Sequence, residues 1–252
     1  MRRPTADRLT LPSLALLFFC SGACGLIYQV LWLRLLGLTF GVTVYAASTV
    51  WASFMAGLAV GSLVGGWLGN RVRRPLLWFG AAEILVGLSA LASPRALHTL
   101  QGVYVSAYPS FQDSLTTMTI ARGLISFAVL IVPTLLMGAT LPLVVRAVLA
   151  RREDLGSRVG LLYGTNTAGA IAGTLLAGLY FIPSLGISRT FQLAAAVNVL
   201  VGLAAGALSF LPGGDRGHAL ALQRARHDHR RPSACLPCLG EGGQDRLNVV
   251  AV

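Results

Sequence analysis

The chain has 252 residues, of which 55% are hydrophobic and 12% are charged, and its mean hydropathy is +0.70. Soluble domains usually carry about 25% charged residues, so the composition excludes a water-soluble enzyme that fills the chain and indicates a membrane protein. The net charge of +11 comes from 20 arginines, with no lysine, against nine acidic residues. The arginines lie mainly at the ends of apolar stretches and in the last 40 residues. This placement indicates membrane orientation and argues against a nucleic-acid partner.

Six apolar stretches follow a short N-terminal segment, residues 1–8. Each is long enough for a helix that crosses the bilayer, which needs about 20 residues. They are predicted at residues 9–33, 44–68, 76–97, 120–149, 159–182 and 190–211. The first is longer than the apolar core of a cleaved signal peptide, and residues 183–186 predict a tight turn between the last two. We therefore predict an all-α polytopic membrane protein with a membrane domain of six transmembrane helices at residues 9–211.

The arginines also predict how this domain is oriented. Outside the last segment, ten arginines fall at one end of the predicted helices and four at the other. The side that is richer in arginine is expected to face the cytoplasm, and an even number of helices puts both termini there. The sequence thus predicts a multi-pass protein of the plasma (inner) membrane, surrounded by the lipid bilayer, with both termini cytoplasmic.

Two of the predicted helices carry stripes of small residues. The second has Gly57, Gly61, Gly65 and Gly69 at intervals of four, and the fifth has Gly160 and Gly164 on one stripe, with Gly169 and Gly173 beside it. Small residues let helices approach closely in a membrane, so we expect packing seams, with sliding in a transport cycle as the alternative.

The second and fifth predicted helices are the middle helices of two groups of three, the first to third and the fourth to sixth. Three-plus-three repeats build the six-helix halves of major-facilitator transporters. We therefore predict half of a major-facilitator-like bundle, completed by a homodimer or by a second membrane half.

The third helix contains Glu83, an acidic residue well inside an apolar stretch. Ionisable groups inside a membrane are costly and suggest a functional site. Glu83 could carry a proton, bind a cationic substrate, or pair with an arginine such as Arg34 or Arg122. The polar residues that could line a pocket with it include Gln29, Asn166 and Asn198, although single hydrogen bonds between helices explain these residues equally well.

Residues 212–252 form a basic segment without apolar periodicity, predicted to be a disordered cytoplasmic tail. Four of its residues, His227, His229, Cys235 and Cys238, could hold zinc if the chain folded around the ion, but their spacing is not that of a recurrent zinc finger. We expect the tail to lie on anionic lipid headgroups, with a truncated or frameshifted remnant of a longer reading frame as the other interpretation. No cofactor is predicted.

Several segments together resemble one family. They are residues 19–32, 47–50, 54–62, 133–143 and 159–170, and they resemble the membrane portion of fused major-facilitator/spermidine-synthase-like proteins over about residues 15–210. Residues 66–75 also resemble the loop between the second and third helices of major-facilitator proteins, with Asn70 where that loop has an acidic residue.

The resemblance implies a membrane portion joined to a spermidine-synthase-like domain, which transfers an aminopropyl group from decarboxylated S-adenosylmethionine to an amine. The chain has no Gly-rich turn after a strand and no acidic set to bind these substrates, so no catalytic residue is predicted and catalysis by this chain is not expected. The expected function is a transporter-like or membrane-anchoring module. The alternatives are the membrane part of an aminopropyltransferase of polyamine biosynthesis, whose catalytic domain is missing or separately encoded, and a structural membrane subunit without a substrate.

Overall fold

The computed structural model describes residues 5–40, 44–107, 115–148 and 155–210, and every element in these ranges is helical. The six α-helices are α1 (Thr5–Phe40), α2 (Val44–Gly69), α3 (Pro75–Ala107), α4 (Leu115–Val148), α5 (Leu155–Leu176) and α6 (Ile182–Phe210). A π-helical segment, Ala177–Phe181, joins α5 to α6.

Within the described ranges, five helical stretches are long and apolar enough to cross a membrane. They are Leu11–Leu38, Val50–Gly69, Pro75–Gly102, Ile120–Ala147 and Gly156–Phe210. The last one has 55 residues and covers the region in which the sequence predicts two helices. A straight helix of that length would extend about 80 Å, well beyond the roughly 30 Å of a hydrocarbon core.

Gly186 interrupts this long stretch. Its φ of 78° and ψ of 170° are not helical, and they lie in a region of backbone conformation that only glycine adopts readily. The sequence places a tight turn at residues 183–186, and the structure locates the break in the helical backbone at the last of these residues.

The helices extend past the apolar stretches from which they are predicted. The third stretch is predicted to end at residue 97, whereas α3 continues to Ala107. The fourth helix passes through Pro133 and Pro142 without ending. Apolar side chains mark only the part of a helix that suits hydrocarbon, and the helical backbone can continue through polar residues beyond it.

Five pairs of helices make the main contacts of the bundle: α2 with α4, α1 with α5, α3 with α6, α3 with α4, and α1 with α6. Successive glycines reveal the relative directions of three of these pairs. Along α2, Gly57 and Gly65 meet Thr134 and Ala139 in order, so α2 and α4 are parallel. Along α5, Gly169 and Gly173 meet Phe19 and Ala23, so α5 and α1 are also parallel.

The third pair runs the other way. Gly80 of α3 meets Gly202 of α6, and Gly87, further along α3, meets Ala195, earlier on α6. The two helices are therefore antiparallel. At these glycines the backbone of one helix lies close to the neighbouring helix, which is how small residues associate helices in a membrane.

The interior of the bundle is aromatic as well as aliphatic. Tyr28 stacks on Trp32 at a centroid distance of 5.7 Å and on Phe191 at 6.1 Å. All three side chains are buried. The outer surface instead presents large apolar side chains such as Leu63, which is 76% exposed, as expected where lipid surrounds the helices.

Candidate functional site

The interface of α1, α3 and α6 contains a buried carboxyl group. Glu83 is only 1% exposed and lies about 12 Å along α3 from its first residue, Pro75. The Ser21 hydroxyl donates a hydrogen bond to its Oε1 at 2.6 Å, and the Asn198 side-chain amide donates to its Oε2 at 2.7 Å. We call Ser21, Glu83 and Asn198 the polar junction. Each of its three residues comes from a different helix.

The hydrogen-bond partners of Glu83 in the described part of the chain are neutral. The sequence left open a pairing with Arg34 or Arg122, but the structure gives the carboxyl group a hydroxyl and an amide instead. Arg34 lies about 20 Å further along α1 than Ser21, which explains why it does not reach Glu83.

The structure brings together two of the four polar residues that the sequence proposed for a pocket. Asn198 contacts Glu83 directly. Gln29 is half-buried on α1, and Asn166 of α5 packs against Gly22. Neither of these two forms a hydrogen bond with the polar junction.

Two buried polar atoms beside the junction have no hydrogen-bond partner among the described residues. They are the Tyr28 hydroxyl oxygen and Oδ1 of Asn198. Tyr28 follows Ser21 by seven residues, so both side chains lie on the same face of α1. Between them, the Cys24 thiol donates to the Ala194 carbonyl oxygen of α6 at 3.5 Å.

A second polar contact joins α1 to α3. The indole N–H of Trp32 donates to the Ser93 hydroxyl at 2.8 Å, and that hydroxyl donates to the Ala90 carbonyl oxygen at 2.6 Å. Trp32 and Ser93 are both buried. The contact fixes α1 against α3 on the side of Glu83 that is away from Pro75.

Glycines of α2 form the seam with α4. A Cβ atom added to Gly57 would overlap Thr134, and one added to Gly61 would overlap Leu135. A Cβ atom added to Gly65 would lie 2.6 Å from the Ala139 Cα. Gly69 is less tightly packed, because its nearest neighbour would lie at 3.8 Å, on Arg146.

The seam on α5 needs a correction. Gly160 and Gly164, predicted to pack, are exposed and have no atom within 4 Å of an added Cβ. The contact with α1 is made instead by Gly169 and Gly173. Gly160 and Gly169 are nine residues apart, which is half a turn out of phase in an α-helix, so only one of the two stripes can face α1.

The main contacts between helices repeat when the first three helices are exchanged with the last three. Exchanging α1 with α4, α2 with α5 and α3 with α6 converts the α2–α4 contact into α5–α1, converts α3–α4 into α6–α1 and leaves α3–α6 unchanged. The sequence agrees with this exchange at one segment, since residues 85–88 of α3 and 200–203 of α6 both read Leu-Val-Gly-Leu. The offset that relates these two segments also relates Glu83 to Asn198. The two residues that meet in the polar junction are therefore equivalent positions of the repeat.

Besides the matching places of the two glycine stripes, the sequence offers the shared Leu-Val-Gly-Leu segment as a signal of this repeat. Ser21 is not among the residues that the sequence predicts to contact Glu83. The available signal was its place on the same face of α1 as Cys24 and Tyr28.

The candidate metal ligands His227, His229, Cys235 and Cys238 lie outside the described residues. Within the described ranges, no group of three or more His, Cys, Asp or Glu could hold a metal ion.

The fold and its buried polar junction are those expected of a polytopic helical membrane protein. Comparison with curated proteins adds a distant relation to polyamine aminopropyltransferases. The chain is 29% identical over 204 residues to polyamine aminopropyltransferase 2 of Streptomyces coelicolor, a match that covers 80% of this chain and 34% of the relative. It is 26% identical over 177 residues to polyamine aminopropyltransferases 2 and 1 of Ralstonia nicotianae, covering 70% of this chain and 32% and 31% of the relatives.

The chain thus spans about a third of the length of the curated relatives it matches. Only 42 residues follow Phe210, so most of the 204 matched residues of the Streptomyces protein correspond to the helical part of this chain. No protein-family model matches the chain, and no solved structure matches it.

Proposed function

We propose that this chain is the membrane-embedded helical module of a protein related to polyamine aminopropyltransferases, and that it acts as a transporter-like unit for polyamines. In this proposal the module has six spans, belongs to the plasma membrane and corresponds to half of a major-facilitator-like bundle. It works with a second copy or with a second membrane half.

The backbone directions support six spans. Consecutive spans alternate in direction, so α1, α3 and α5 run one way and α2 and α4 the other. The parallel pairs α1–α5 and α2–α4 agree with this alternation. Because α6 is antiparallel to α3, it runs opposite to α5, and the break at Gly186 is where the direction reverses. Both termini then lie on the side that carries more arginine.

The internal repeat supports the transporter-like architecture. Inverted repeats of three helices occur in major-facilitator transporters, and transporter sites lie near the middle of the membrane, where repeats meet. The polar junction lies where the two groups of three helices meet, because Glu83 of α3 and Asn198 of α6 contact each other there.

The observation that carries the proposal is the buried Glu83 with neutral partners. A helix bundle that serves only to anchor another domain gains nothing from a carboxyl group in its interior, which is costly there. The names of the relatives support polyamines as the amine class, and the carboxyl group suits a process that handles cations.

The test measures polyamines directly. The chain is reconstituted into proteoliposomes and assayed for binding and uptake of labelled putrescine, spermidine and spermine, with protein-free liposomes as the blank. We expect saturable uptake by the parent and at least about tenfold lower uptake by Glu83→Gln. A parent that neither binds nor moves any polyamine contradicts the proposed function, and an unchanged variant removes Glu83 from the mechanism.

The names of the relatives favour a second candidate function, the membrane part of an aminopropyltransferase. In that case the module would bind a catalytic partner without moving polyamines. Co-purification of aminopropyl-transfer activity with the tagged chain, together with no polyamine uptake, would support this candidate over the first.

A further inference from the structure

The environment of Glu83 leaves little room for any ligand larger than a proton. The side chain is 1% exposed, and each of its oxygens already accepts a hydrogen bond. An ammonium group would have to displace Ser21 or Asn198 to reach the carboxyl group. A metal cation would need lone pairs directed at it, whereas Ser21 and Asn198 direct hydrogen-bond donors at the carboxyl oxygens.

No cationic side chain is hydrogen-bonded to Glu83 within the described ranges. The ionisable groups of α1 on which the charge of Glu83 acts are Cys20, Cys24 and Tyr28, which are neutral when protonated. On α6, its polar neighbour is Asn198. On α4, the charged residues Arg122 and Arg146 lie towards the two ends of the helix, whereas the carboxyl oxygens accept hydrogen bonds from Ser21 and Asn198. In the described part of the chain, a charged Glu83 therefore has a neutral hydrogen-bond donor at each of its oxygens.

Asn198 can serve both protonation states of Glu83. In the observed arrangement its amide nitrogen donates to Oε2 and its Oδ1 has no partner, which suits an ionised carboxylate. A protonated carboxyl group has one O–H to donate. Rotation of the Asn198 side-chain amide about its Cβ–Cγ bond would exchange the positions of its nitrogen and Oδ1. Oδ1 would then accept a hydrogen bond from that O–H.

We propose that the polar junction is a proton-binding site, in which Glu83 takes up and releases one proton while the Asn198 amide reverses. An O–H bond forms between a carboxyl oxygen of Glu83 and a proton delivered by hydronium, which leaves as water, and release is the reverse. No electron transfer is involved. The inference deepens the proposed transport function by naming the ion that accompanies the polyamine, and to that extent it rests on that function.

The first test does not depend on transport. Infrared difference spectra of the reconstituted chain are recorded between acidic and alkaline buffer. We expect a protonated-carboxyl C=O band that disappears at alkaline pH in the parent and is lost in Glu83→Gln. Ser21→Ala and Asn198→Ala should shift the frequency of this band, because each removes a hydrogen bond to the carboxyl group. Ser89→Ala is the matched control, because Ser89 lies on the same helix as Glu83 and its hydroxyl donates to the Val86 carbonyl oxygen of that helix.

The inference is overturned if no carboxyl band changes with pH in the parent, or if the band persists in Glu83→Gln. It is also overturned if Ser21→Ala and Asn198→Ala leave the band where it is. These two variants keep the test valid if Glu83→Gln does not fold, which circular dichroism would reveal.

The second test links the proton to transport. A pH-sensitive dye inside proteoliposomes reports proton movement when a spermidine gradient is imposed. We expect proton movement in the parent and at least a tenfold loss in Glu83→Gln, with spermidine binding retained. Uptake without proton movement overturns the inference and leaves the proposed function standing. A titrating band in a chain that neither binds nor moves polyamine supports the proton site and overturns the proposed function.

Discussion

The two groups of three helices, α1–α3 and α4–α6, share the main contacts of the bundle but differ in the side chains that they bring to their common interface. Their seams match, because Gly57 and Gly61 of α2 contact α4 in the way that Gly169 and Gly173 of α5 contact α1. At the α3–α6 contact, however, the first group contributes a carboxyl group and the second an amide. The repeat thus builds a symmetric frame, and single substitutions within it make the site asymmetric.

The helices of this bundle are held together in two ways. The glycine seams are tight and depend on backbone contact, whereas the α3–α6 interface combines a backbone contact at Gly80 and Gly202 with hydrogen bonds at Glu83. A frame that must stay rigid favours the first kind of contact. A site that exchanges a ligand requires the second kind, because hydrogen bonds can change partners.

The largest expected effect concerns the seams. Gly61→Leu should place a side chain where the Leu135 backbone lies and lower the free energy of unfolding by about 3 kcal/mol. Gly173→Leu should cost a similar amount, because Gly173 occupies the equivalent place against Ala23. Denaturant titration in detergent micelles measures both. The control is Gly164→Leu, on the exposed face of α5, which should change stability by less than about 1 kcal/mol. Equal losses in all three variants would contradict the assignment of the seams.

A smaller effect is expected at the polar junction. Asn198→Ala removes the donor to Oε2 of Glu83 and should lower the free energy of unfolding by about 1.5 kcal/mol, near the upper end for hydrogen bonds between helices in a membrane. The control is Thr174→Ala on α5, because the Thr174 hydroxyl is exposed and bonds within its own helix. In a double-mutant cycle with Glu83→Gln, the two losses should not add. Additive losses would mean that Glu83 and Asn198 act independently.

The smallest effect is expected at the Trp32–Ser93 contact. Trp32→Phe keeps an aromatic ring against Tyr28 but removes the indole N–H that bonds to Ser93, so stability should fall by about 0.6 kcal/mol. The same substitution at Trp51, which is 57% exposed, is the matched control and should have no measurable effect. If Trp51→Phe costs as much as Trp32→Phe, the hydrogen bond does not explain the loss.

The helical class of the fold could be read from the sequence, because long apolar stretches with few charges have few structural solutions in a membrane. The ends of the helices could not, as the extension of α3 to Ala107 illustrates. Neither could the face of α5 that packs, since Gly160 and Gly169 offer two small faces on opposite sides of one helix. Only the position of a neighbouring helix distinguishes such faces.

The candidate site was predictable in part. Glu83 is conspicuous as an acidic residue in an apolar stretch, and Asn198 was named as a polar residue of the interior. Their contact follows from the antiparallel packing of α3 on α6 and could not be inferred from residue types. Arg34 and Arg122 are plausible partners of Glu83 by charge. The distance between Ser21 and Arg34 along α1, however, excludes Arg34 as a partner of Glu83.

The break at Gly186 has a consequence for how the protein enters the membrane. In the six-span arrangement, the helical backbone continues from α5 through the π-helical segment into the first residues of α6 and breaks at Gly186, without a polar loop between the two spans. The insertion machinery would therefore receive these two helices as one apolar hairpin rather than as separate segments. Such a hairpin reaches its orientation as a unit, and the arginines at its start, near α5, would orient both helices together.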